Sequence, residues 1–139
     1  MIEEGLVERL ETDTALIALC GDRIYDAPAP EGAVRPHITY ELAGEDRDRH
    51  LQGPSGLVRG TFQVRSWAQS KDAARIVAER VRLRLDNFAG VLGGHEVQRM
   101  KMTNRQSSWD FQAEGTENLA PHILMTFDVW YAEELPPGA

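Results

Sequence analysis

Thr61-Phe62-Gln63-Val64-Arg65-Ser66-Trp67, followed after Ala68-Gln69 by Ser70 to Phe88, decides the fold of this 139-residue chain. Phe62 and Val64 share one face of a period-2 strand, and Gln63, Arg65 and Trp67 share the other, which predicts a half-buried strand in a sheet with one covered face. Ser70 suits a helix N-cap and Asp72 the positive end of the helix dipole. Ala74, Val77, Ala78, Val81, Leu85 and Phe88 then recur at helical spacing, so this helix is the predicted cover. Asn87 and Gly90 are placed to end it.

Upstream, residues 2–19 read as helix in two pieces, with Ile2, Leu6, Val7 and Leu10 on one face and Leu16, Ile17 and Leu19 in the second piece. Asp13 is placed to cap that second piece and Gly21 to close it with a positive φ. Arg23-Ile24-Tyr25 is a short strand candidate. Three prolines between Ala27 and Pro36 mark a connector. His37 to Leu42 alternates again and is the natural hairpin partner of the strand at Phe62. Gly93-Gly94 reads as a turn. Glu96 to Met102 is a weaker strand, where Val97, Met100 and Met102 break strict alternation and predict a bulge. Ile123, Met125, Phe127, Val129 and Tyr131 form the clearest period-2 run.

The sum predicts one α+β domain over residues 1–139: a two-layer arrangement of about four main antiparallel strands with helices on one face. Two polar stretches, Gly44–Gly56 and Asn104–Asn118, are expected as long projecting loops.

Composition narrows the function classes. The net charge of −7 disfavours broad phosphate binding, which rests on surplus Lys and Arg. Cys20 is the only cysteine, so there is no internal disulfide and no zinc spacing. A reducing cytoplasm is the expected setting. The acidic start, Met1-Ile2-Glu3-Glu4, does not resemble a signal peptide, and no apolar run reaches the ~20 residues that span a bilayer. His37, His50, His95 and His122 lie singly, and Ser55 lacks the nucleophile-elbow pattern. Neither an enzyme nor a cofactor is expected.

What remains points to contact surfaces. Ile76 and Leu83 lie nearly opposite the core-facing stripe of their helix and read either as a second packing surface or as scattered surface hydrophobes. Trp67 and Trp130 have the opposite parity from the apolar set of their strands, which places both on the face away from the helices. That face reads as an interface, or as tryptophans tucked beneath a loop. Glu45-Asp46-Arg47-Asp48-Arg49 alternates in sign; such a run is ordinarily a solvated hairpin tip, and otherwise Arg47 and Arg49 belong to a partner contact. The basic residues of the main helix are interspersed with Asp72, Glu79 and Asp86 and read as a solvated face.

Taken in order, Gly21-Asp22-Arg23-Ile24-Tyr25, Pro36-His37-Ile38-Thr39-Tyr40, Gln63-Val64-Arg65-Ser66-Trp67-Ala68 and Asp128-Val129-Trp130-Tyr131 resemble the tail completion, or tail terminator, family of long-tailed bacteriophages. Relatives occur in prophages and gene transfer agents. The resemblance implies a structural subunit that assembles in the bacterial cytoplasm into a homo-oligomeric ring, a hexamer, at the head-tail junction of a virion. Such a ring caps the tail tube protein, presents the surface on which the head and its connector proteins dock, and lets DNA pass without specific binding or any membrane. A head-tail connector or stopper is the rival within that class. A small α+β enzyme, which needs a pocket with perturbed titratable groups, and a nucleic-acid-binding domain are the rivals outside it.

Overall fold

The computed structural model describes residues 2–47, 57–111 and 119–132. Three helices and six strands follow one another as α1 (Ile2–Glu11), α2 (Thr14–Cys20), β1 (Ile24–Asp26), β2 (His37–Arg47), β3 (Leu57–Trp67), α3 (Lys71–Leu85), β4 (Gly90–Leu92), β5 (His95–Phe111) and β6 (Leu119–Ala132). The strands form one curled sheet in the order β1-β2-β3-β6-β5-β4.

This corrects the expectation of about four antiparallel strands in a simple two-layer arrangement. The sheet has six strands, and β1 runs parallel to β2, with Ile24 opposite Ile38 and Asp26 opposite Tyr40. Much of the two expected loops is also strand. β2 continues to Arg47 and pairs there with Val58. β5 continues to Phe111 along β6, with Asn104 opposite Thr126 and Phe111 opposite Leu119. Thr103 to Ser107 of β5 are all polar and all exposed, so this stretch carries no apolar alternation. Pairing with β6, and not burial, makes it a strand. The remainder of both expected loops, residues 48–56 and 112–118, lies outside the described residues.

The local reasons for the other elements agree with the residues. The Asp13 carboxylate accepts from the Ala15 and Leu16 N–H groups at the start of α2, and Gly21 closes that helix at φ 59° with its N–H on Ile17 O. Ser70 caps α3 by accepting from Ala73 N. Asn87 leaves α3 at φ 64°. Gly93 and Gly94, at φ 55° and 81°, make the two-residue turn between β4 and β5, a geometry in which both central residues need the left-handed region. The predicted bulge in β5 falls at Gln98, which lies between the Val97–Tyr131 and Arg99–Trp130 pairs. The extra residue lets Val97 and Met100 both face the core. Thr103 in β5 and Ala43 in β2 are further extra residues.

The core lies between α3 and the middle of the sheet. Ala74, Val77, Ala78, Val81 and Leu85 of α3 belong to one buried cluster with Phe62 and Val64 of β3 and Met125, Phe127 and Val129 of β6. α2 packs on α3, and α1 on β4. Gly5 of α1 approaches that hairpin so closely that a Cβ there would fall 2.3 Å from Gly93 N. Cys20, at the end of α2, is fully buried, and burial pushes its thiol up to about 11 against a small opposing pull from Arg23. No helix among the described residues is long and apolar enough to cross a membrane.

Candidate functional site

The face of the sheet turned away from α3 is organised in cross-strand rows, because strands in register place every second side chain of each on the same side. At one end His37, Trp67 and His122 stand opposite one another on β2, β3 and β6. The Trp67 ring lies 4.1 Å from the ring of His122, centre to centre, and 5.9 Å from that of His37, nearly parallel to it. The indole Nε1–H donates to Thr39 Oγ1 at 3.0 Å, and Tyr25 meets His37 edge-on. Both histidines are buried. Burial, with lesser contributions from the charges of Arg35 and Arg23, holds the His37 pKa below its ordinary value, although the Val34 carbonyl opposes the shift by accepting from Nδ1 at 3.2 Å. Trp67 is thus clamped within its own subunit.

Beside this row the proline connector folds over the sheet. Gln69 Nε2 donates to Arg35 O at 2.6 Å, and Arg23 Nε donates to Pro36 O at 3.0 Å. A groove of about 810 Å³ opens between connector and sheet, lined by Pro28, Pro30, Val34, Thr39, Arg65 and Trp67 among others. Such a volume suits a small ligand. The lining carries no pair of carboxylates and no nucleophile placed against a base, and among the described residues no three His, Cys, Asp or Glu side chains could share a metal ion.

The other end of the face is polar. Asp46, Arg59, Trp130 and Arg99 form a row across β2, β3, β6 and β5. Asp46 and Arg59 pair at 2.6 Å, and that pair raises the Arg59 pKa. In the next row Thr61 Oγ1 donates to Asp128 Oδ1 at 3.0 Å. Trp130 is half-buried and stands eight positions beyond His122 along β6, about 27 Å away at the usual rise of a strand. Both tryptophans therefore face away from α3 as expected, but at opposite ends with a polar ladder between them. They do not form one aromatic patch.

On the opposite side of the molecule Ile76 and Leu83 are 57% and 55% exposed on the outer face of α3. Two turns apart, they sit ~10 Å from each other along the helix. The arginines around them are engaged. Arg75 pairs with Asp72 at 3.1 Å, Arg80 with Asp13 at 3.1 Å, and Arg82 with Glu79, which also receives Arg105 at 3.3 Å. Arg84 donates to Arg9 O and to Thr12 Oγ1. This is the solvated, ion-paired face that the sequence implies, and it offers no continuous cationic track for a phosphate backbone. Arg47 ends β2, where Val58 is its partner in register. Arg49 lies outside the described residues.

Two features escaped the sequence reading. The histidines flanking Trp67 lie singly in the sequence, and their alignment depends on β6 lying beside β3, which no local pattern signals. The end of β2 from Gly44 and the outer half of β5 from Asn104, which read as loop, are strand.

Comparison with known proteins adds the following. The family model described as "Tail completion protein gp17" matches residues 4–132. No curated protein matches. Among solved structures, a chain from the "Virion of native gene transfer agent (GTA) particle" superposes with a TM-score of 0.69, covering 93% of this chain and 92% of that one at 18% identity. At that identity the likeness shows a shared fold.

Proposed function

The chain belongs to the tail completion protein gp17 family, and from that premise we propose that it forms a ring which caps the tail tube and presents the surface where the head docks. The family is structural, found in phage and gene transfer agent particles, and the protein is not an enzyme. The observation that carries the ring reading is the exposed apolar pair Ile76 and Leu83 on an otherwise charged helix. Such a pair has reason to be there if another protein covers it, and a closed ring of identical subunits joins two different patches of each. In this reading six copies assemble in the bacterial cytoplasm and remain at the head-tail junction, touching tube protein on one side and connector proteins on the other. Each subunit brings a net charge of −7, and the part of it that faces the channel would repel the DNA backbone and let the genome pass without adhering.

Electron microscopy of a lysate lacking the gene tests this. The reading requires tails not capped at a fixed length, heads left tailless, and DNA packaging unaffected. Normal joined particles would sink it. Correctly capped tails that fail to join heads would assign the protein to the connector class instead.

A further inference from the structure

The groove beside Trp67 has two unlike walls. The connector side is built on Pro28, Pro30 and Val34, the last 63% exposed, and the sheet side on Thr39, Arg65 and Trp67. Proline carries no N–H, so the connector wall presents rings in place of donors. The Trp67 indole is already fixed, with His37 and His122 flanking it and its Nε1–H committed to Thr39 Oγ1. A rigid aromatic wall facing apolar rings suits an extended, proline-bearing segment, which makes no hydrogen bonds within itself and docks by packing its rings. On the sheet wall Arg65 joins no ion pair among the described residues, and the carboxylate of the lining, Glu31, is exposed on the connector. The sheet side therefore favours an acidic occupant.

We infer that the groove of one subunit takes the segment Glu133-Glu134-Leu135-Pro136-Pro137 of a second copy of this chain. The inference rests on the ring reading and supplies one of its junctions. The segment follows β6 directly and lies outside the described residues. It combines what the two walls ask for: a pair of prolines and a leucine for Trp67 and Val34, and a pair of carboxylates for Arg65. Chain geometry decides that it comes from another copy. Ala132 stands opposite Leu57, whereas the groove residues Arg65 and Trp67 stand opposite Leu124 and His122, eight and ten positions back along β6. That separation is about 27–33 Å at the usual rise of a strand, while the five residues from Ala132 to Pro137 span at most ~18 Å, so a subunit's own groove is out of range. The exit of β6 and the groove thus lie at opposite ends of the strands, two different patches of one subunit, which is the head-to-tail contact that a closed ring demands.

Substitutions in the full chain test the contact. Val34→Asp puts a charge on the apolar wall, and Pro136→Gly with Pro137→Gly removes the fixed φ that holds the segment extended. Val34 is exposed and the two prolines follow the last strand, so both variants should keep the far-ultraviolet circular dichroism of the parent. Each should weaken self-association about tenfold or more in light scattering over a concentration series. An equimolar mixture should form one-to-one pairs more tightly than either variant associates alone, because each keeps the half that the other lacks. Arg65→Glu should weaken assembly in the same way, and adding Glu133→Lys and Glu134→Lys to that chain should restore it, which singles out this segment from any other occupant. Assembly of either variant as in the parent, a mixture no tighter than its components, reversed charges that restore nothing, or a parent that is monomeric at every concentration overturns the contact. So does loss of assembly in Val34→Asp alone, since the groove would then hold something else. Whether the tail-capping role falls with it is decided separately by the deletion lysate, where capping is scored without reference to the groove.

Discussion

Asp13 serves three donors at once. Its carboxylate accepts from the Ala15 and Leu16 N–H groups and receives Arg80 Nη2 at 3.1 and 3.2 Å. Burial alone would raise its pKa, but the Arg80 contact and the two N–H groups together hold it below the ordinary carboxylate value. One residue thereby starts α2 and ties it to α3. Asp13→Ala removes both functions and should cost about 2–3 kcal/mol in urea unfolding, roughly a cap plus a charge-assisted bond. Asp13→Asn keeps the cap and should cost about 1 kcal/mol. With the folded pKa depressed, this stabilisation is complete above the unfolded carboxylate value of about 3.9 and is lost as pH falls through the folded one. The gap between parent and Asp13→Asn should therefore close in acid. A gap that is constant from neutral pH down to about 3 would show that the charge contributes nothing.

Among elements, α1 has the least room. Gly5 sits inside the helix, where alanine would ordinarily add up to ~1 kcal/mol of stability. Here the new Cβ would lie 2.3 Å from Gly93 N and 2.5 Å from Leu92 C, backbone atoms that cannot swing aside. The steric cost wins, so Gly5→Ala should destabilise by roughly 1–3 kcal/mol. A raised melting temperature would mean that the hairpin yields. That contact could not be read from the chain, because it joins residues nearly ninety positions apart. The elements that were legible share one property, a burial pattern written in their own residues: α3 through Ala74 to Leu85, the β2–β3 hairpin through Ile38, Tyr40, Phe62 and Val64, and β6 through Ile123 to Tyr131. The bulge of β5 was visible in the same way, at Val97 and Met100. The outer half of β5 and the end of β2 were not, because polar residues on an exposed strand look like a loop until the partner strand is known. The site divides along the same line. Ile76 and Leu83 were legible as exceptions to a helical stripe, whereas the Trp67 row depends on the order of strands.

At the scale of the molecule, the proposed ring makes its testable demand on the outer face of α3. Burying Ile76 or Leu83 at a contact contributes ~1.5–3 kcal/mol, and aspartate there would forfeit that and bury a charge. Ile76→Asp and Leu83→Asp should both lower the assembled mass seen by light scattering while leaving the melting temperature of the monomer unchanged, since both side chains are exposed in the subunit. Assembly like that of the parent in both variants would remove this patch from the interface. The number of subunits is a different quantity, and one buried atom makes it countable. Cys20 is the only thiol in the chain, sealed from solvent and held protonated at neutral pH. Maleimide dyes will therefore ignore the parent and mark Val91→Cys, on the exposed side of β4, once per subunit. Each immobilised particle should then darken in as many discrete bleaching steps as it has subunits.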